Sequence, residues 1–166
     1  MAMSTREAFE RGTHTFNAHD MKGFAEVLAG DVIFAAPGGV RGRGKAACVE
    51  FFGSWFGAFP DAHVEVQACH FIDDVAVEEG TFTGTQNGVL HSPIGDIPPT
   101  GRSVTLNYVQ VLRFRGGRHV SFNLMFDRLL MLEQLGLAPA ASTSPAGEVA
   151  GKSPDHHLLA GGQPSA

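Results

Sequence analysis

Asp127 is the single acid at a junction between two opposite patterns. Before it, Val120-Ser121-Phe122-Asn123-Leu124-Met125-Phe126 reads as an apolar strand. After it, Arg128 to Leu135 reads as a helix ended by Gly136. A carboxyl group there has two uses. If the strand end opens into an apolar cavity, the surroundings disfavour the charged form, which suits a group that takes a proton from carbon and returns one to oxygen. If it does not, Asp127 caps the helix that begins at Arg128. Period two fixes its neighbours: Met125, Asn123 and Ser121 share its face, while Phe122 and Leu124 point the other way.

Further polar candidates lie on the preceding strands. Gln110 shares a face with Tyr108, Leu112 and Leu106. Tyr108, the only tyrosine, fits a donor to a developing enolate, or an ordinary strand residue with its hydroxyl at the rim. Glu79 interrupts the apolar Val75-Val77 face. It is a second buried acid if that face is internal, and is solvated together with Glu78 if the face is external. His14 and His19 lie where they could reach a cavity mouth or serve structurally. Phe16, Phe34 and Trp55 are the apolar candidates for a substrate wall. Trp55 belongs to a stripe with Val49, Phe52, Phe56 and Phe59, and such a stripe packs a core or lines a cavity with the same signature.

The elements that must position these groups follow in order. Ser4-Thr5-Arg6-Glu7 is a capping box opening a helix to about Asn17. Asp20 caps a short second helix whose end fits Gly30. Val32 to Ala36 is a strand closed by Pro37-Gly38-Gly39, and Lys45 to Phe59 is a third helix stopped by Pro60-Asp61. His63–Ile72 and Val75–Gln86 are strands joined at Asp73-Asp74. A loop from His91 to Gly101 leads to the strand Ser103–Arg115. Gly116-Gly117 turns it into the last strand, Arg118–Phe126. Helices set apart from a strand meander give an α+β domain over residues 1–137. The Ala/Pro/Ser/Gly-rich stretch 138–166 reads as a disordered tail, and His156-His157 within it as incidental.

Composition excludes several functions. The chain has 166 residues, 43% of them hydrophobic, and a net charge of −5, so it can bury a core and lacks the basic face a nucleic-acid protein needs. Gly39-Val40-Arg41-Gly42-Arg43-Gly44-Lys45 imitates a phosphate loop, but Ala46 stands where a magnesium-holding Ser or Thr belongs. The eight histidines show no ligand spacing, so no metal site is expected. No Gly-x-Ser-x-Gly elbow is present. No apolar run approaches the roughly 20 residues of a membrane span. Met1 to Arg6 lacks the apolar core of a signal peptide. A cytoplasmic protein is expected, with Cys48 and Cys69 as reduced, buried thiols.

Several segments together resemble the SnoaL-like polyketide cyclases, within the nuclear transport factor 2-like superfamily. They are Phe16-Asn17-Ala18-His19-Asp20, Asp31-Val32-Ile33-Phe34, Gly39-Val40-Arg41-Gly42-Arg43 and Trp55-Phe56-Gly57-Ala58-Phe59-Pro60-Asp61. Gly84-Thr85, Ile97-Pro98-Pro99-Thr100-Gly101-Arg102, Phe126-Asp127 and Leu135-Gly136-Leu137 complete the set. The resemblance implies a cone-shaped α+β barrel, a curved sheet wrapped around helices over a deep apolar cavity. It implies ring closure of a polyketide-like carbonyl substrate by intramolecular aldol condensation, without metal or cofactor. Asp127 falls at the family's acid/base position, and the family places a polar hydrogen-bonding residue near Gln110, which implies that Gln110 steadies a substrate carbonyl or the Asp127 carboxyl. The same fold hosts isomerases, epoxide hydrolases, dehydratases and non-catalytic binding modules. Phe122, Asn123 and Gln86 depart from the family's His or Trp, which implies a cavity without imidazole partners. The expected ligand is small and hydrophobic. A homodimer is expected through the outer face of the sheet, where Val109 and Val111 lie opposite Gln110.

Overall fold

The computed structural model describes residues 3–92 and 95–137; the stretch read as a disordered tail, with its His156-His157 pair, lies outside them. Ser4 caps α1 (Thr5–Asn17): its hydroxyl accepts from the Glu7 N–H at 3.2 Å, and the Glu7 carboxylate accepts from the Ser4 N–H at 2.7 Å. Two otherwise orphaned donors are thereby satisfied. Asp20 does the same for α2 (Met21–Glu26), accepting from the Gly23 N–H at 2.9 Å. The C-cap of α2 is Val27 rather than Gly30. Val27 and Leu28 are both fully buried, which draws the chain straight into β1 (Leu28–Ala36).

The turn Pro37–Gly39, with Gly38 and Gly39 at φ +87° and +80°, leads to β2 (Val40–Arg43), an edge strand where the sequence suggested only a loop. The remaining elements are α3 (Lys45–Ala58), β3 (His63–Ile72), β4 (Val75–Thr85), β5 (Ser103–Arg115), β6 (Arg118–Phe126) and α4 (Arg128–Gln134). Their bounds agree with the sequence reading to within a residue or so.

The six strands form one curved, unclosed sheet in the order β2-β1-β6-β5-β4-β3, wrapped around the N-terminal helices. All neighbours are antiparallel except β1 and β6, which run parallel because helices and strands intervene between them. This is the expected α+β cone. Asn17 ties α1 to the sheet, its amide exchanging two 2.9 Å hydrogen bonds with the backbone of Val64 as a strand neighbour would.

Two apolar clusters fill the concave side. One gathers Ala8, Phe9, Phe24, Val32, Leu112 and Phe122; the other gathers Phe59, Val104, Leu106, Met131 and Leu135. Cys48 and Cys69 are free thiols, and burial pushes their pKa values up to about 12 and about 11. Among the described residues no helix is long and apolar enough to cross a membrane, and no cluster of side chains has the make-up of a metal site.

Candidate active site

The cavity lies between the helices and the concave face of the sheet, and the centres of water molecules can explore about 100 Å³ of it. Its wall is mainly aromatic. Phe16 comes from α1, and Phe51, Phe52 and Trp55 come from α3. From the sheet come Phe82, Phe122 and Phe126. The α3 stripe is therefore cavity lining as well as core, with Phe51, Phe52 and Trp55 only partly buried while Phe59 is fully buried. Edge-to-face packing fixes these rings: Phe52 meets Phe122 at 5.4 Å between centroids, and Trp55 meets Phe82 at 5.4 Å and Phe126 at 5.8 Å.

Glu78 is the one carboxyl among the described residues lining this wall, and it is 1% exposed. It stands on β4 directly opposite Gln110 of β5, and two residues on Gly80 stands opposite Tyr108. Opposed residues on antiparallel strands share a face, so all three polar groups converge. The Tyr108 hydroxyl donates to Glu78 Oε1 at 2.5 Å, and the Gln110 amide donates to Oε2. Gly80 makes this possible, since a Cβ there would lie 2.5 Å from the Tyr108 oxygen and 2.7 Å from the Glu65 carbonyl. Burial raises the Glu78 pKa, and the two donors pull it partway back. Burial also raises the Tyr108 pKa, reinforced by the nearby Glu78 charge, so the phenol stays a donor. The arrangement is a buried carboxyl with a raised pKa and two donors steadying its oxygens.

Several sequence expectations are corrected here. Asp127 does not enter the cavity: it is exposed, and its carboxylate caps α4 by accepting from the Leu130 N–H at 3.0 Å. Asn123 and Met125 do share its face, as period two requires, but that face is the outer one. The register explains the reversal. Gln110 pairs with Leu124 and Tyr108 with Phe126, so the inward residues of β6 are Phe122, Leu124 and Phe126. Glu79 points outward and is exposed; its neighbour Glu78 is the buried acid. Phe34 sits behind the wall, its ring tilted against Phe51 at 5.1 Å and stacked on Phe122 at 5.9 Å between centroids, with Gly42 beneath it. Gln110, Tyr108, Phe16 and Trp55 lie in the lining as expected.

The sequence reading missed Glu78 and His119. The alternation Ala76, Glu78, Gly80, Phe82 carried a signal for Glu78, because its partners are small or apolar. His119 gives the wall an imidazole that was expected to be missing. His19 donates to, or accepts at, no cavity group: its Nε2 meets the Ala62 carbonyl at 2.7 Å and its ring stacks on Phe56. Gln86 is fully buried and binds the 87–102 loop, accepting from Thr100 and donating to the carbonyls of Gly88, Ile97 and Pro98.

Residues 9–122 match the family described as the SnoaL-like domain. Among solved structures, the chain is similar to IdmH of Streptomyces antibioticus, assigned provisionally as a polyketide cyclase. Identity is 26% over 80% of this chain and 98% of that one, with a TM-score of 0.65. A SnoaL-like protein of Jannaschia sp. CCS1, also assigned provisionally as a polyketide cyclase, is 20% identical over 81% and 93% of the two chains, with a TM-score of 0.71. A protein of Catenulispora acidiphila with a ketosteroid isomerase-like fold is 16% identical over 81% and 96%, with a TM-score of 0.67. The last two likenesses establish the fold. No curated protein sequence matches the chain.

Proposed function

Because the chain belongs to the SnoaL-like domain family, we propose that it is a cofactor-free acid–base enzyme of cyclase or isomerase type acting on a hydrophobic carbonyl compound. The observation that carries this reading is Glu78, a carboxyl 1% exposed in an aromatic wall and held on both oxygens by Tyr108 and Gln110. The finer proposal is intramolecular aldol ring closure on a polyketide-like substrate. The Glu78 carboxylate removes a proton from carbon next to a carbonyl, leaving an enolate. The enolate carbon bonds to a second carbonyl carbon of the same molecule, and the resulting alkoxide takes the proton back from Glu78. Nothing is oxidised or reduced, and product and substrate have the same mass. Apolar walls favour the reaction by keeping water from competing for the enolate.

Hydrolysis of an epoxide by paired acids has less support, because Glu79 and Asp127 are both exposed on the outside. Non-catalytic ligand binding remains the second reading, favoured by the fact that protein donors already satisfy both Glu78 oxygens. An aryl-substituted 1,5-diketone separates the two. The wild-type protein should convert it to a cyclic aldol of unchanged mass, and Glu78→Gln should not. Tight retention of the diketone with no cyclic product would establish the binding reading.

A further inference from the structure

Glu78 brings a negative charge into a cavity that supplies no positive one. Among the described residues that line it there is no arginine and no lysine. Its one imidazole, His119, stays neutral at ordinary pH, because burial pushes the pKa down to about 4. The two side chains that hydrogen-bond to the carboxyl, Tyr108 and Gln110, are neutral donors. Cys69, opposite Glu78 on β3, is a thiol that burial keeps protonated, its pKa raised to about 11. Buried charges are normally paired with an opposite charge, and neutral donors offset only part of the desolvation penalty. The ionised cavity is therefore matched to a ligand that carries the positive charge.

The surroundings of Glu78 indicate which kind of cation. Its row across the sheet runs Cys69, Glu78, Gln110, Leu124. The next row on one side ends in Phe122, and the next on the other holds Tyr108 and Phe126. From α3, Phe52 meets Phe122 at 5.4 Å and an angle of 60°, and Trp55 meets Phe126 at 5.8 Å and 89°. Aromatic rings of the lining thus flank the carboxyl row on both sides and from the helix layer. A cation within about 6 Å of a ring centroid is attracted to the ring's electron-rich face. Both Glu78 oxygens already accept from protein donors, so what the site adds is charge rather than a vacant acceptor. A primary ammonium would bring three N–H donors to a mainly aromatic wall. A quaternary ammonium brings none, and its methyl groups suit apolar contact.

We propose that the cavity is also a binding site for a small organic cation of the quaternary ammonium type, held by the Glu78 carboxylate and the rings of Phe52, Trp55, Phe122 and Phe126. The site is the one described above, but this role uses the charge of Glu78 and not its basicity. Cation binding and ring closure therefore stand or fall separately.

Choline and 3,3-dimethylbutan-1-ol test it, since they differ only in having a cationic nitrogen or a neutral carbon at one centre. Dissociation constants are measured for the full chain, Glu78→Gln and Trp55→Leu, above the Glu78 titration and with no carbonyl compound present. The wild-type protein should bind choline, and Glu78→Gln should bind it on the order of 10- to 100-fold more weakly, the worth of one charge pair at an effective dielectric of about 20. The neutral alcohol should bind these two proteins alike. Trp55→Leu should weaken choline roughly 2- to 10-fold more than it weakens the alcohol. A further readout needs no variant: saturating choline should lower the Glu78 pKa, followed by carbon-13 labelling of the carboxyl, and the alcohol should not. A ligand that favours the carboxylate must be favoured by it in return. Choline that fails to bind the wild-type protein, binds Glu78→Gln as tightly, or leaves the Glu78 titration in place would overturn the proposal. The titration decides even if a variant fails to fold.

Discussion

Deleting one oxygen, in Tyr108→Phe, probes the environment of Glu78 with little else disturbed. The ring stays where it is, because the space over Gly80 that admits the tyrosine admits phenylalanine too. What is lost is the 2.5 Å hydrogen bond from the Tyr108 hydroxyl to Glu78 Oε1. A hydrogen bond to a charged group is worth about 1.5–3 kcal/mol. Its loss therefore raises the Glu78 pKa further above the ordinary carboxylate range. The sign follows from the donor: Tyr108 favours the carboxylate and lowers the value, so its loss adds to the upward push of burial. Carbon-13 labelled glutamate gives a direct readout, with the side-chain carboxyl shift of Glu78 followed against pH in both proteins. Any reaction that needs the carboxylate should move its rising limb to higher pH by the same interval. A Glu78 titration that stays in place, or moves to lower pH, would refute the idea that Tyr108 holds the carboxylate.

Gly80→Ala should push the Tyr108 ring off Glu78 and crowd the Glu65 carbonyl; overpacking of this kind costs about 1–3 kcal/mol, measurable by denaturant unfolding, and ligand affinity should fall with it. His119 makes stability acid-sensitive. Its folded pKa of about 4 lies below the unfolded 6.5, so its contribution is present above pH 6.5 and is lost as pH falls through 4. The span is worth about 3 kcal/mol, and His119→Phe should flatten that part of a pH-dependent urea midpoint curve. A homodimer through the outer sheet face is also proposed, where Val109, 37% exposed, is paired with Met125, 48% exposed. Sedimentation should show a dimer that Val109→Glu dissociates; a wild-type monomer at all concentrations would contradict it.

Local signals gave most of the fold. The capping box at Ser4, the Asp20 cap and the period-two runs from His63 onward placed their elements correctly because each depends on neighbours in sequence. What resisted reading was decided by distant contacts. Gly30 and Arg41 belong to strands because β1 finds β2 on one side and β6 on the other. The site shows the same division. Period two correctly grouped Asn123, Met125 and Asp127, and correctly grouped Tyr108 with Gln110. It could not say which face of each strand is concave, because a one-residue change of register exchanges the two faces. The bulge in β3 between Val66 and Ala68 does this within one strand, turning Cys69 toward Glu78 where Val66 had faced inward. Pairing Gln110 with Leu124 puts the bulky residues of β6 inside and leaves Asp127 to cap α4. The resemblance that favoured Asp127 as the acid concerned its position in the chain, whereas the burial of Glu78 depends on this chain's own register.

The most direct test of the account asks which carboxyl moves the proton. Exchange of the C1 hydrogens of 2-tetralone for deuterium, followed by NMR, reports enolisation in the cavity without knowledge of the natural substrate. The wild-type protein should accelerate the exchange, and Glu78→Gln should lose about 10²- to 10⁴-fold of that acceleration, the usual worth of a positioned general base. Asp127→Asn should leave it unchanged. If Glu78→Gln exchanges as fast as wild type, or if Asp127→Asn is the variant that fails, Glu78 is not the proton carrier.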